Sequence, residues 1–206
     1  MKMAVLSLVM VALLAVSGCM RADPGFNVLV NDDGDSLSVD TATNAVVTAD
    51  VSRNMLNNGY MFTVMESTDL SNSAIRNILV VTPDTDTWAH LFWTVAHELE
   101  AKVEFYADTA YSANGTEISS FNRDGNVSAN ATTLVFHTPT ITDAGTLVAT
   151  AHQGGGQKAG GGDHEASEFI LKQGSAYLLR ITNATTSDNL IYMKLAWYEY
   201  ANQGEG

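Results

Sequence analysis

The residues of this sequence that could do chemistry are few, and their spacing serves none of the reactions they suggest. His97-Glu98-Leu99-Glu100-Ala101 opens like the helical zinc motif, in which two histidines four apart share one helix face, but Ala101 stands where the second histidine is required. The five histidines, His90, His97, His137, His152 and His164, are otherwise spread along the chain. Only His90 and His97 are close, and on a strand residues seven apart project from opposite faces. All five therefore read as surface or edge side chains. Asp163, His164, Glu165 and Glu168 could offer ligands to a cation. In a chain with 23 acidic residues, such a run reads as a solvated loop edge.

Gly154-Gly155-Gly156-Gln157-Lys158-Ala159-Gly160-Gly161-Gly162 has the glycine content of a phosphate-binding loop. It lacks a lysine followed by Ser or Thr at the required place, and it leads into a strand-like segment where that loop should open a helix. A conformationally free loop between strands accounts for it. No serine sits in a Gly-x-Ser-x-Gly elbow. The sequence thus assigns no catalytic residue, no cofactor-binding residue and no metal ligand.

One residue does carry a specific chemical expectation. Met1-Lys2-Met3 followed by the apolar run 4–16 has the order of a secretory signal and is too short to span a bilayer comfortably. It ends in Val16-Ser17-Gly18-Cys19, which resembles the bacterial lipobox, whose cysteine is acylated after cleavage. On that reading residues 1–19 are a signal segment, and lipid on Cys19 tethers the mature chain to a membrane. The other reading starts translation at Met20 and leaves no anchor. Cys19 is the single cysteine in either case, so no disulfide stabilises the folded part.

The elements around these residues are strands. A length of 206 residues suits one domain with a full core. With a net charge of −13 and ten basic residues scattered singly, the chain lacks the footprint for a phosphate backbone, which excludes nucleic acid as a partner. Residues 20–44 read as a flexible N-terminal arm, with an apolar piece at 26–30 and an Asx-rich turn at 31–35. Short strand candidates then recur at 45–51, 60–65, 75–81, 88–97, 99–106, 133–137 and 146–152. Turn signals separate them: Asn57-Asn58-Gly59, the 82–86 stretch, Asn114-Gly115, Asp124-Gly125-Asn126 and Asp143-Ala144-Gly145. The 88–106 segment also fits a helical stripe through Trp88, Leu91, Phe92, Val95, Leu99 and Val103. Two strands are expected there instead, because a lone helix has nothing to pack on in an all-strand pattern.

Alternation is clearest near the end of the chain. Tyr177, Leu179 and Ile181, then Ile191, Met193, Leu195 and Trp197, recur at every second position, the period of a strand with one buried face. The Gly174-Ser175 turn is short enough for 168–172 and the strand after it to pair as a hairpin. Tyr192, Tyr198 and Tyr200 fall between the core positions and are expected to face solvent, a partner or a neighbouring strand. Asn-x-Ser/Thr triplets at Asn114, Asn126, Asn130 and Asn183 read as turns, not sugar acceptors. The pattern predicts an all-β, jelly-roll-like antiparallel β-sandwich over residues 45–206.

From Ser73 onward the order and spacing of several pieces resemble a group of small virion structural proteins of tailed bacteriophages. The pieces are Asn77-Ile78-Leu79-Val80-Val81-Thr82-Pro83-Asp84-Thr85 with Trp88-Ala89-His90, then Phe121-Asn122-Arg123, then Asp143-Ala144-Gly145-Thr146-Leu147. They continue with Lys158 in the glycine-rich loop, Glu168-Phe169-Ile170-Leu171-Lys172, the 177–183 segment and Leu195-Ala196-Trp197-Tyr198-Glu199. The resemblance implies a non-enzymatic protein of the virion, decorating the capsid exterior as a homo-oligomer, a trimer, in contact with capsid or other virion proteins. The export-type start departs from that pattern. It leaves open an acylated bacterial surface lipoprotein, facing periplasm or cell surface, whose β-sandwich binds carbohydrate and which meets a membrane only through Cys19.

Overall fold

The computed structural model describes residues 27–30, 36–40, 45–47, 55–153 and 168–201. Cys19, the Gly154–Gly162 loop, Asp163, His164 and Glu165 lie outside the described residues. The chain divides into two compact units, residues 1–50 and 51–206.

The first unit holds a three-stranded antiparallel sheet of β1 (Asn27–Val30), β2 (Ser36–Asp40) and β3 (Ala45–Val47). Val39 pairs with Asn27 on one side and Val46 on the other. The segment read as an arm therefore contains strands, rich in the β-branched valines that favour a pleated chain. The strand at Ala45 joins this sheet, not the sandwich.

The second unit contains β4 (Met61–Leu70), β5 (Ile75–Val81), β6 (Thr87–His97), β7 (Ala101–Ala107), β8 (Ala110–Ala113), β9 (Thr116–Glu117), β10 (Phe121–Asn122), β11 (Leu134–His137), β12 (Thr140–Asp143), β13 (Thr146–Gln153), β14 (Phe169–Leu171), β15 (Ala176–Asn183) and β16 (Asn189–Ala201). They form a five-stranded sheet, β10-β4-β16-β6-β14, and a six-stranded sheet, β13-β7-β15-β5-β11-β9. Four pairings are nested: β4 with β16, β5 with β15, β6 with β14 and β7 with β13, all antiparallel. Successive nested pairs alternate between the two sheets. A long two-stranded ribbon wrapped over itself in this way is a jelly roll. The excursion between β7 and β13 adds a small β8–β12 ribbon. Gly145 ends that ribbon with φ of 85°, and a Cβ there would lie 2.1 Å from the carbonyl oxygen of Ala107, so the turn requires glycine.

The core follows from period-2 alternation. On β6, Ala89, Leu91, Trp93, Val95 and His97 point inward, and Trp88, His90, Phe92, Thr94 and Ala96 point outward. A helix would have put Trp88, Leu91, Phe92 and Val95 on one stripe; the sheet separates them, and the two-strand expectation holds. Ile191, Met193, Leu195 and Trp197 of β16 face Val103, Phe105, Leu179 and Ile181 of the opposite sheet in a single core cluster. Phe105 stacks on Tyr177 with centroids 5.8 Å apart, and Phe62 tilts against Trp197 at 6.0 Å. Each such side chain, fully buried, contributes about 1.5–3 kcal/mol.

The hairpin expected across Gly174-Ser175 does not form. β14 pairs with β6 and β15 pairs with β5 and β7, so the turn carries the chain from one sheet to the other. Thr82 holds it there: its amide donates to Ser175 O at 3.0 Å and its hydroxyl to Lys172 O at 2.7 Å. A two-residue gap is compatible with either geometry, and only partners distant in sequence select one.

Candidate functional site

Buried polar side chains fix the two ends of the sandwich. At one end Asn183 donates to the carbonyls of Leu70, Ser71 and Ser187, while its own oxygen accepts from Thr185. Asn189 accepts from the Leu99 amide and donates to Glu100 O. At the other end Glu199, buried on the inward row of β16, accepts from the amides of Thr132 and Thr133, the Thr132 hydroxyl and the Trp197 indole, at 2.7–3.1 Å. A carboxylate with its lone pairs so occupied is a clamp on the 123–133 loop and is not free to act on a substrate.

The sequence's unabsorbed aromatics collect on the outer face of the five-stranded sheet. Cross-strand register sets their rows: Tyr200 opposite Trp88, Tyr198 between Met61 and His90, Ile170 beyond His90, and Ala196 opposite Phe92. Phe121 is 66 % exposed, Ile170 58 %, Met65 53 %, Tyr192 40 % and Tyr200 38 %. Large apolar groups left in water on one sheet face, with few charges among them, are the composition of a contact surface. The strand positions of this face carry one lysine, Lys194, and one aspartate, Asp69, although the chain as a whole has a net charge of −13.

The polar centre of the face is Glu168. Its Oε1 accepts from His90 Nδ1 at 2.5 Å and from the Tyr198 hydroxyl. The His90 and Tyr198 rings stack with centroids 4.4 Å apart and planes 16° from parallel. Of the three tyrosines between the core positions, Tyr198 is buried by packing within the subunit, whereas Tyr192 and Tyr200 are exposed. One histidine departs from the expected surface set: His97 is buried on the inner row with Nδ1 against Leu99 O, while His90 stands on the outer row engaged by Glu168. Of the four residues weighed as a cation cluster, Glu168 alone lies among the described ones, and its partners are an imidazole and a phenol.

A carboxylate holding an imidazole nitrogen is the orienting half of a nucleophile-activating triad. Among the described residues His90 hydrogen-bonds only Glu168, with no hydroxyl or thiol nucleophile at its other nitrogen. No group of three or more His, Cys, Asp or Glu among the described residues is placed to hold a metal ion, and no helix among them is long and apolar enough to cross a membrane.

Two hollows share Tyr200 as a lining residue, and the smaller adjoins this centre. The smaller, of about 210 Å³, lies between Trp88, His90, Ile170 and Tyr200. The larger, of about 360 Å³, is walled by Tyr60, Phe62 and Tyr200, by Thr87, Asn130 and Thr132, and by the clamp residue Glu199. No family model and no curated protein matches the chain.

The opposite outer face, on the six-stranded sheet, carries a polar network beside an apolar row of Phe136, Leu79 and Leu178 that is buried yet outside the core cluster. Arg180 donates to Asn77 Oδ1 at 3.2 Å and lies 5.3 Å above the Tyr106 ring, and Lys102 pairs with Glu104 at 2.6 Å. Burial pushes the Glu104 carboxyl up, but hydrogen bonds from Lys102 and Tyr106 and the charges of Lys102 and Arg180 outweigh it and hold the group below the usual carboxylate range. Tyr106 moves the other way, raised by burial and by the Glu104 carboxylate it bonds.

Proposed function

We propose that this chain is a non-enzymatic structural protein of a bacteriophage virion, a jelly-roll module that assembles as a trimer and docks on the capsid exterior. The observation that carries the reading is the aromatic outer face of the five-stranded sheet. Trp88, Phe92, Phe121, Met65, Ile170 and Tyr200 make a surface depleted of charge in an otherwise acidic molecule. Negative charge elsewhere keeps free subunits apart, and this face is where two acidic bodies can approach without like charges meeting. The jelly-roll topology and the resemblance from Ser73 onward support the same assignment.

Mass spectrometry of purified particles tests it: the chain is expected at a stoichiometric, integral copy number per particle, and its absence from particles ends the proposal. The acylated lipoprotein is separated from it by palmitate labelling of cells. Label that depends on Cys19 supports the lipoprotein and counts against the virion protein.

A further inference from the structure

We infer that the larger hollow is a cage for a quaternary ammonium group. The inference uses this hollow alone and stands apart from where the chain is carried, on a particle or on a lipid. The hollow lies at the Glu199 end of the sandwich, where β4 and β16 meet: the Glu199 amide donates to Tyr60 O at 3.0 Å, and Glu199 stands opposite Ala89 of β6. Tyr60 and Tyr200 line it from exposed positions and Phe62 and Glu199 from buried ones, so it runs from the surface toward the core. Its volume of about 360 Å³ is at the lower end of small-ligand sites, roughly 300–1,000 Å³, which suits a head group.

Two features of the lining attract positive charge. Tyr60, Phe62 and Tyr200 bring three aromatic rings to one small hollow, and the face of such a ring is negative. Glu199 brings a carboxylate whose contacts are neutral donors: the amides of Thr132 and Thr133, the Thr132 hydroxyl and the Trp197 indole. Among the described residues no cation forms an ion pair with it. Away from bulk water that charge is weakly screened. The same contacts decide which cation fits. A carboxylate has about four lone-pair sites, and those four donor groups take them, so Glu199 has no acceptor left for a ligand N–H. A primary ammonium entering the hollow gives up water from three N–H donors that each need an acceptor. A quaternary ammonium has no N–H to satisfy. Its methyl groups pack on the rings, and its charge meets the carboxylate field without a hydrogen bond.

The test is a calorimetric titration of the full chain with choline. Beside it run neohexyl alcohol, in which carbon replaces the charged nitrogen, and ethanolamine, which keeps the charge on a primary ammonium. Choline is expected to bind saturably at millimolar concentration or below, and both analogues about tenfold more weakly or worse. Tyr60→Ala and Tyr200→Ala each remove one ring from an exposed position, and each is expected to weaken choline about fivefold or more. Either variant carries the comparison should the other unfold. Ile170→Ala, which lines only the smaller hollow, is expected to bind choline as the parent does. Absence of choline binding, equal affinity for the alcohol or for ethanolamine, or parental affinity in the folded Tyr60→Ala and Tyr200→Ala proteins overturns the inference.

Discussion

Across the outer face of the six-stranded sheet, Asn77, Arg180, Glu104 and Lys102 are joined by hydrogen bonds, charge and cross-strand register, whereas across the five-stranded sheet the corresponding rows hold Trp88, Phe92, Tyr198, Tyr200 and Ile170. Both faces belong to strands that share one core, so propensity for sheet is common to them. The difference lies in how each meets water. On the first, a charged network stands beside the buried apolar row of Phe136, Leu79 and Leu178, and the exposed apolar residues Ile75, Leu134, Leu147 and Val148 sit at or near strand starts. On the second, the apolar groups are contiguous and the one carboxylate at their centre is engaged by His90 and Tyr198. A face finished with charge is complete in water, and a face finished with aromatic rings gains by being covered.

The largest expected effect comes from the support beneath the aromatic side. Glu199→Ala removes the acceptor for two backbone amides and the Trp197 indole, and a buried donor left unpaired costs about 1–3 kcal/mol. A loss of about 3 kcal/mol or more is expected in urea unfolding, and a cost within about 0.5 kcal/mol of zero would show that the loop holds itself without the clamp.

Placing a charge on each face separates them directly. Ile170→Glu and Ile75→Glu alter residues that are 58 % and 54 % exposed, so each should change monomer stability by no more than about 0.5 kcal/mol. On the proposed assembly through the aromatic face, light scattering is expected to show a dissociation constant raised about tenfold or more by Ile170→Glu and unchanged by Ile75→Glu. Equal behaviour of the two variants would abolish the distinction between the faces.

Smaller effects belong to the polar network. The folded pKa of Glu104 lies below its unfolded value, so its ionised form adds stability above the ordinary carboxylate range. That stability fades as pH falls through the lowered folded value. Glu104→Gln should therefore cost at most about 1 kcal/mol at neutral pH, with the difference shrinking steadily as unfolding is measured at lower pH. A difference that persisted in acid would mean that packing, not charge, holds Glu104. Smallest of all is Tyr192→Phe, which removes the contact of its hydroxyl with Met65 Sδ at 2.9 Å on the aromatic face. A change within about 0.5 kcal/mol is expected in thermal unfolding, and a larger one would mean that this face is held by specific bonds.

Much of the sandwich is legible in the sequence because alternation is local. The row through Trp197, the row through Leu179 and the two strands at 88–106 all follow from neighbours two residues apart. The short strands at Ala110, Thr116, Phe121 and Thr140 are not legible in that way. They are two to four residues long, too brief to show a period, and exist because partners distant in sequence present free edges. The clamp at Glu199 is hidden for a related reason. It reads as one more acid in Trp197-Tyr198-Glu199-Tyr200, and its role depends on the 132–133 backbone passing beside it.

The sequence by itself determines that this is an all-strand chain, which residues face inward, and where turns fall, since each depends on side-chain type, a two-residue period and backbone freedom at positions such as Gly145. Tertiary structure alone decides that β14 leaves β15 for β6, that Glu168 captures His90 and Tyr198, and that Tyr200 lines two hollows. Those contacts join residues 30 to more than 70 positions apart, and no local regularity records which distant strand will lie alongside.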